Sequence, residues 1–229
     1  MAKITIVGIG PGSPDYITPI TRKTVQNAHV VIGAERALRL FLGEIKGETL
    51  TLTAKNVNEA LKHAVESSEK GKTVALLSTG DPGFSGLLGT FLNNITGKGV
   101  EVEVVPGISS IQVCAARLHM CWDETSLFSF HEGTSLEKKK RLAEAVKEGK
   151  DVMLLPDPKS FPPCKVAKFL INSRIDKETP VVVCENLTLN NERVVASTLE
   201  GISKLNFGSL CVLVVRPRQE QKIKRKAKE

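Results

Sequence analysis

Short aliphatic and β-branched runs alternate with amphipathic helical stretches through the first half of the chain, and that alternation restricts the fold more than any other feature. KITIVG, HVVIG, TVALLS and VEVEVV read as strands. Between and after them, TPITRKTVQNA, ERALRLFLGEI, NVNEALKHAVESSEKG, FSGLLGTFLNNI and GISSIQVCAARL read as helices. Thr18 is placed to cap the first helix with Pro19 at its opening position. Val57, Leu61, Ala64 and Val65 share one face of a later helix. Strands that alternate with helices need crossover connections, which predicts an α/β fold with a mostly parallel sheet over residues 1–118.

After HMCWDE the pattern changes. TSLFSF, DVMLLP, PVVVCEN, ERVVAST and SLCVLVV read as strands, with helices at SLEKKKRLAEAVKEG, capped by Ser135, and at PPCKVAKFLINS. Three of those strands follow one another closely at the end, so residues 119–216 are expected to form a second, mixed α/β domain. The basic tail, residues 217–229, is expected to be disordered and solvated.

Composition excludes several classes. The net charge of +7 favours acidic small-molecule partners, but aromatic residues make up only 4%, too few for a base-stacking platform, so no nucleic-acid partner is expected. The five cysteines form no CxxC pair and no apolar leader follows Met1, which suggests reduced thiols and a cytoplasmic setting. Cys184 and Cys211 sit in apolar strands as core residues. No apolar run is long enough for a membrane span. The four histidines lack metal-ligand spacing, so no metal is expected.

The loop Gly8-Ile9-Gly10-Pro11-Gly12 invites a dinucleotide-binding reading, that of a nicotinamide-dependent oxidoreductase. That fingerprint needs a third small residue and a helix start against the turn. Ser13 fills the third slot, Pro11 and Pro14 remove amide donors, and the next helix starts only at Thr18. The loop suits a backbone that bends sharply and comes close to a ligand. STGDPGFSG and VVPGISS place two more Gly/Pro turns at strand ends, and the carboxyl edge of such a sheet is where ligands lie. Asp81, between glycine and proline, can accept from a ribose or an amino group.

Together, VGIGPGSPDYIT, STGDPGFSG and VVPGISS resemble the tetrapyrrole methylase family. The resemblance implies two α/β domains, a homodimer, and S-adenosyl-L-methionine held between the domains as methyl donor to a tetrapyrrole substrate. IGAERAL, PGISSIQVCAARL with WDE, and SFH resemble the branch that methylates carbon 5 of cobalt-precorrin-7 in cobalamin synthesis. A separate partner would then methylate and decarboxylate at carbon 15. Other precorrin and uroporphyrinogen methylases, and diphthine synthase, share the fold and are the alternatives. Carried over by position, Ile9, Pro11, Gly80, Asp81, Phe84, Ser109 and Ser110 would bind the cofactor, joined by Leu155, Pro156, Asn186 and Leu187 of the second domain. His131 is the catalytic candidate. Arg36, Arg39 and Arg117 are candidates for holding substrate carboxylates.

Overall fold

The computed structural model describes residues 3–95, 100–131 and 133–217. Of the predicted basic tail, all but Pro217 lies outside the described residues. The chain divides into two compact units between Ser110 and Ile111. That division falls one residue into the helix Ser110–Arg117, and not after it. Cys114 and Arg117 on that helix meet Cys184 and Glu192, which assigns it to the second unit.

Unit 1 runs β1 (Lys3–Gly8), α1 (Pro19–Gln26), β2 (Val30–Gly33), α2 (Glu35–Arg39), β3 (Glu48–Thr51), α3 (Val57–Glu69), β4 (Val74–Ser78), α4 (Leu87–Ile95) and β5 (Glu101–Val105). All its strand pairs are parallel, in the order β3-β2-β4-β1-β5. Alternate residues of the central strands face opposite layers. Ile4, Ile6, Val30, Ile32, Val74 and Leu76 pack with Leu61, Ala64 and Val65 of α3. Val7, Val31, Ala75 and Leu77 pack on the other face with Val25 of α1. Each fully buried aliphatic side chain stabilises by roughly 1.5–3 kcal/mol. The Thr18 hydroxyl caps α1, accepting from Thr21 N–H at 3.3 Å. Two departures from the sequence reading stand out. Strand β3 lies in ETLT, where no strand is expected, and α2 stops at Arg39 and continues only as turns.

Unit 2 contains α5 (Ser110–Arg117, whose first residue belongs to unit 1), β6 (Ser126–Ser129), α6 (Leu136–Lys147), β7 (Val152–Leu155), α7 (Pro163–Asn172), β8 (Pro180–Glu185), β9 (Arg193–Thr198), α8 (Leu199–Ile202) and β10 (Cys211–Val215). The sheet order is β6-β7-β10-β8-β9. Strand β10 is antiparallel to both β7 and β8, so β8 points the same way as β6 and β7. All three therefore end at one edge. Behind the sheet, Phe130, Leu142, Leu154, Phe161, Val166, Leu170 and Leu213 form one continuous core. Among the described residues, no helix is long and apolar enough to cross a membrane.

Candidate functional site

The three Gly/Pro turns of unit 1 meet at the carboxyl ends of adjacent strands β4, β1 and β5. From β1 the chain crosses towards β2, while from β4 it crosses past β1 to β5. The β1 and β4 loops thus leave towards each other and meet at the sheet edge. The loops touch through their backbones. Gly80 N–H donates to Gly10 O at 2.8 Å, and Ile9 N–H donates to Ser78 O at 3.0 Å. A Cβ on Gly107 would lie 2.3 Å from Gly80 O and 2.6 Å from Gly8 Cα. Only glycine permits that approach. Gly10 and Gly80 have φ of +80° and +71°, which glycine adopts without steric cost.

Asp81 joins these turns. One carboxylate oxygen accepts from Gly83 N–H at 2.8 Å, the other from Gly107 N–H at 3.1 Å. It thereby ties the β4 turn to the β5 turn. The start of α4 is served instead by Ser78, whose hydroxyl accepts from Leu87 N–H at 3.1 Å. Ser78 is a buried polar residue that the sequence reading passed over as part of a strand.

The other sequence-selected residues of unit 1 fall at the same edge but differ in what they present. Ile9 is buried among Val7, Ile17 and Val31, so only its backbone is available to a ligand. Pro11, Phe84 and Ser110 are half-buried, and Ser109 is buried with its Cα 3.7 Å from where a Gly80 Cβ would stand. After Ser13 the chain forms a short 3₁₀ turn, Pro14–Tyr16, and not the helix N-terminus that a dinucleotide site needs.

In unit 2, His131 follows β6, Leu155 and Pro156 end β7, and Asn186 and Leu187 follow β8, all at the common edge. His131 is exposed, whereas Leu155, Pro156 and Leu187 are buried. Asp157, next to Pro156, accepts from the amides of Lys159 and Ser160. The Ser160 bonds, then the Lys159 amide and the field of His131, hold its carboxyl below the usual carboxylate range.

The loop after β8 is strained. Asn186 has φ +55° and Thr188 φ +70°. A β-branched residue in the left-handed region is an outlier that surrounding contacts must impose. Here they do: Glu192 accepts from Thr188 N–H at 2.7 Å, and Leu189 N–H donates to Asn186 O at 3.0 Å. Arg117 in turn holds Glu192 at 2.7 Å and keeps its carboxyl below the usual range. Glu185, one residue before Asn186, is a buried carboxylate clamped by Arg193 and Gly208 N–H. Sequence reasoning missed both acids, although the alternation of β8 placed Glu185 where an apolar residue is expected. Cys184 does lie in the core, where its sulfur is 3.4 Å from that of Cys114. That hydrogen bond and burial push the Cys114 thiol up. The same hydrogen bond, donated by Cys114, lowers the Cys184 thiol from its ordinary value.

The arginines set aside for substrate are largely engaged. Arg39 pairs with Glu35 and Arg117 with Glu192, while Arg36 donates to Thr79 at 3.3 Å.

Comparison with known proteins agrees with this geometry. Residues 3–203 match the family model of the tetrapyrrole (corrin/porphyrin) methylases. A probable cobalt-precorrin-7 C(5)-methyltransferase from Methanocaldococcus jannaschii is 41% identical over 95% of this chain and 99% of its own length. The crystal structure of a precorrin-6Y methylase from Archaeoglobus fulgidus is 26% identical, covers 93% of this chain and 97% of that one, and superposes with a TM-score of 0.69. A uroporphyrin-III C-methyltransferase from Thermus thermophilus, solved with S-adenosylhomocysteine, shares the fold at 20% identity, covering 94% of this chain and 92% of that one with a TM-score of 0.74. The chain belongs to the tetrapyrrole (corrin/porphyrin) methylase family.

Proposed function

We propose that this enzyme transfers the methyl group of S-adenosylmethionine to carbon 5 of cobalt-precorrin-7 in cobalamin synthesis. The observation that carries the reading is the near full-length 41% identity to the Methanocaldococcus enzyme of that description. A homodimer, a cytoplasmic setting and a separate partner for the carbon-15 step belong to the same proposal.

The residues present suit the cofactor. The unit 1 edge offers close-packed backbone without Cβ atoms, the carbonyls of the glycine turns, the Asp81 carboxylate and the Ser110 hydroxyl, and its glycine turns carry no cationic side chain. Such a lining accepts hydrogen bonds from amino and ribose groups and leaves a positive charge unopposed. When bound, the cofactor supplies an electrophilic methyl on a sulfonium. Gly80, Asp81, Ser109 and Ser110 of unit 1 bind and orient it. Alignment of the reacting atoms to about 3–3.5 Å is the main contribution asked of such a site. Asp81 acts chiefly by fixing the turns against each other. Asp81→Ala removes both amide contacts, so S-adenosylhomocysteine should bind roughly tenfold more weakly, the loss of about 1.4 kcal/mol expected for charge-assisted bonds. Unchanged affinity in a calorimetric titration would remove Asp81 from the site.

A proton must leave carbon 5 after alkylation, and in this proposal His131, which is exposed after β6, takes it. Mass analysis of the product from cobalt-precorrin-7 and S-adenosylmethionine should show one added methyl at carbon 5. His131→Ala should slow that turnover by about 10²-fold, the lower range for a positioned base, with S-adenosylhomocysteine affinity retained. Methylation at another ring carbon would reassign the substrate, and wild-type turnover would make His131 scaffold.

A further inference from the structure

Resting on that substrate reading, we propose that Lys138, Lys139 and Lys165 form the subsite that holds carboxylate side chains of the tetrapyrrole. Lys138 and Lys139 stand in the first turns of α6 and Lys165 in the first turn of α7, directly after the loops that follow β6 and β7. They share the sheet edge that carries His131, Leu155 and Pro156.

Two aromatic rings fix the ammonium groups of the first pair. Lys139 Nζ lies 4.4 Å from the centre of Phe161, and Lys138 Nζ 5.7 Å from that of Phe130. The rings themselves meet edge to face at 4.9 Å. Lys165 Nζ reaches the Ser160 carbonyl at 3.5 Å. None of the three forms an ion pair among the described residues. Lys150, Lys177 and Lys204 in the same unit each have a glutamate partner. Lys140, Lys147, Lys159 and Lys168 have no ion pair among the described residues either, so the ring packing of the first pair and position at the edge set the trio apart. Asp157, the acid of the adjoining loop, spends an oxygen on two backbone amides, and Glu137 is the acid of the first α6 turn.

The arrangement runs against what helix stability alone favours. The amino end of a helix carries partial positive charge, so cations there are repelled and anions attracted. An anionic ligand reverses that balance. Lysine's flexible stem and point charge suit carboxylates spread around a macrocycle better than one planar, bidentate partner.

The test is a fluorescence titration of the full chain with uroporphyrin III, a stable tetrapyrrole fringed with acetates and propionates. The variant Lys138→Gln/Lys139→Gln/Lys165→Gln should bind it roughly tenfold or more weakly, at about threefold per exposed charge pair. Its binding should also depend less on salt. Arginine at the same three positions should restore affinity, and S-adenosylhomocysteine binding should not change in either variant. Equal porphyrin affinity in the wild type and the glutamine variant overturns the subsite alone. A wild type that binds S-adenosylhomocysteine but no porphyrin overturns the substrate reading beneath it. If the glutamine variant unfolds early, the arginine variant decides: retained charge with lost binding counts against the subsite.

Discussion

Gly107→Ala should abolish measurable S-adenosylhomocysteine binding and destabilise unit 1 by about 2–3 kcal/mol, the upper range for overpacking a tight contact. The added methyl would lie 2.3 Å from Gly80 O and 2.6 Å from Gly8 Cα, where the obstruction is backbone and cannot rotate away. The turn after β5 must retreat, and with it goes the Gly107 N–H that Asp81 accepts from. Binding should thus be lost even at temperatures where the variant stays folded. Denaturant unfolding and calorimetric titration together separate the two effects. Gly89→Ala is the control: a Cβ there meets nothing within 4 Å, so binding should stay near wild type and stability should rise by up to about 1 kcal/mol, as for glycine replaced in a helix interior. A Gly107→Ala protein that binds normally would mean that the three turns need not touch.

Arg193→Ala should be the most damaging single change in unit 2, at about 2–3 kcal/mol, because it strands a buried charge. Glu185 is 6% exposed, and its oxygens are served by the Arg193 guanidinium at 2.6 and 2.9 Å and by Gly208 N–H. The cost comes from the carboxylate left behind, since the arginine itself is half-exposed. Adding Glu185→Gln to Arg193→Ala should therefore recover part of the loss, while Arg193→Lys should retain most of the stability. If the double variant is no more stable than Arg193→Ala, the penalty lies in lost packing of Arg193 on Phe207.

The parts of this molecule that were legible beforehand are those set by periodicity and by backbone chemistry. Val and Ile runs buried on both faces announce β1, β2 and β4, and Thr18-Pro19 announces the start of α1. The Gly/Pro turns could be placed because strand ends in a parallel sheet share an edge. Strand β3 escaped notice because ETLT is an edge strand with three of its four residues exposed, so no apolar alternation marks it. The contacts of Asp81 could not be read from GDPG, because one of its amide partners lies on a turn 26 residues away. Glu185, Glu192 and the left-handed Thr188 were invisible for the same reason. Their meaning depends on contacts with Arg193, Gly208 and Arg117, which only the folded unit brings near.

Strand β10 occupies the middle of the second sheet, yet it is the last strand in sequence among the described residues. During synthesis, then, β7 and β8 cannot take their final spacing until residue 215 has left the ribosome, and the ends that carry Pro156 and Asn186 are unaligned until that moment. Unit 1, whose strands are complete by Val105, can form its sheet well before. The second sheet is thus closed by the late insertion of β10 between strands made before it.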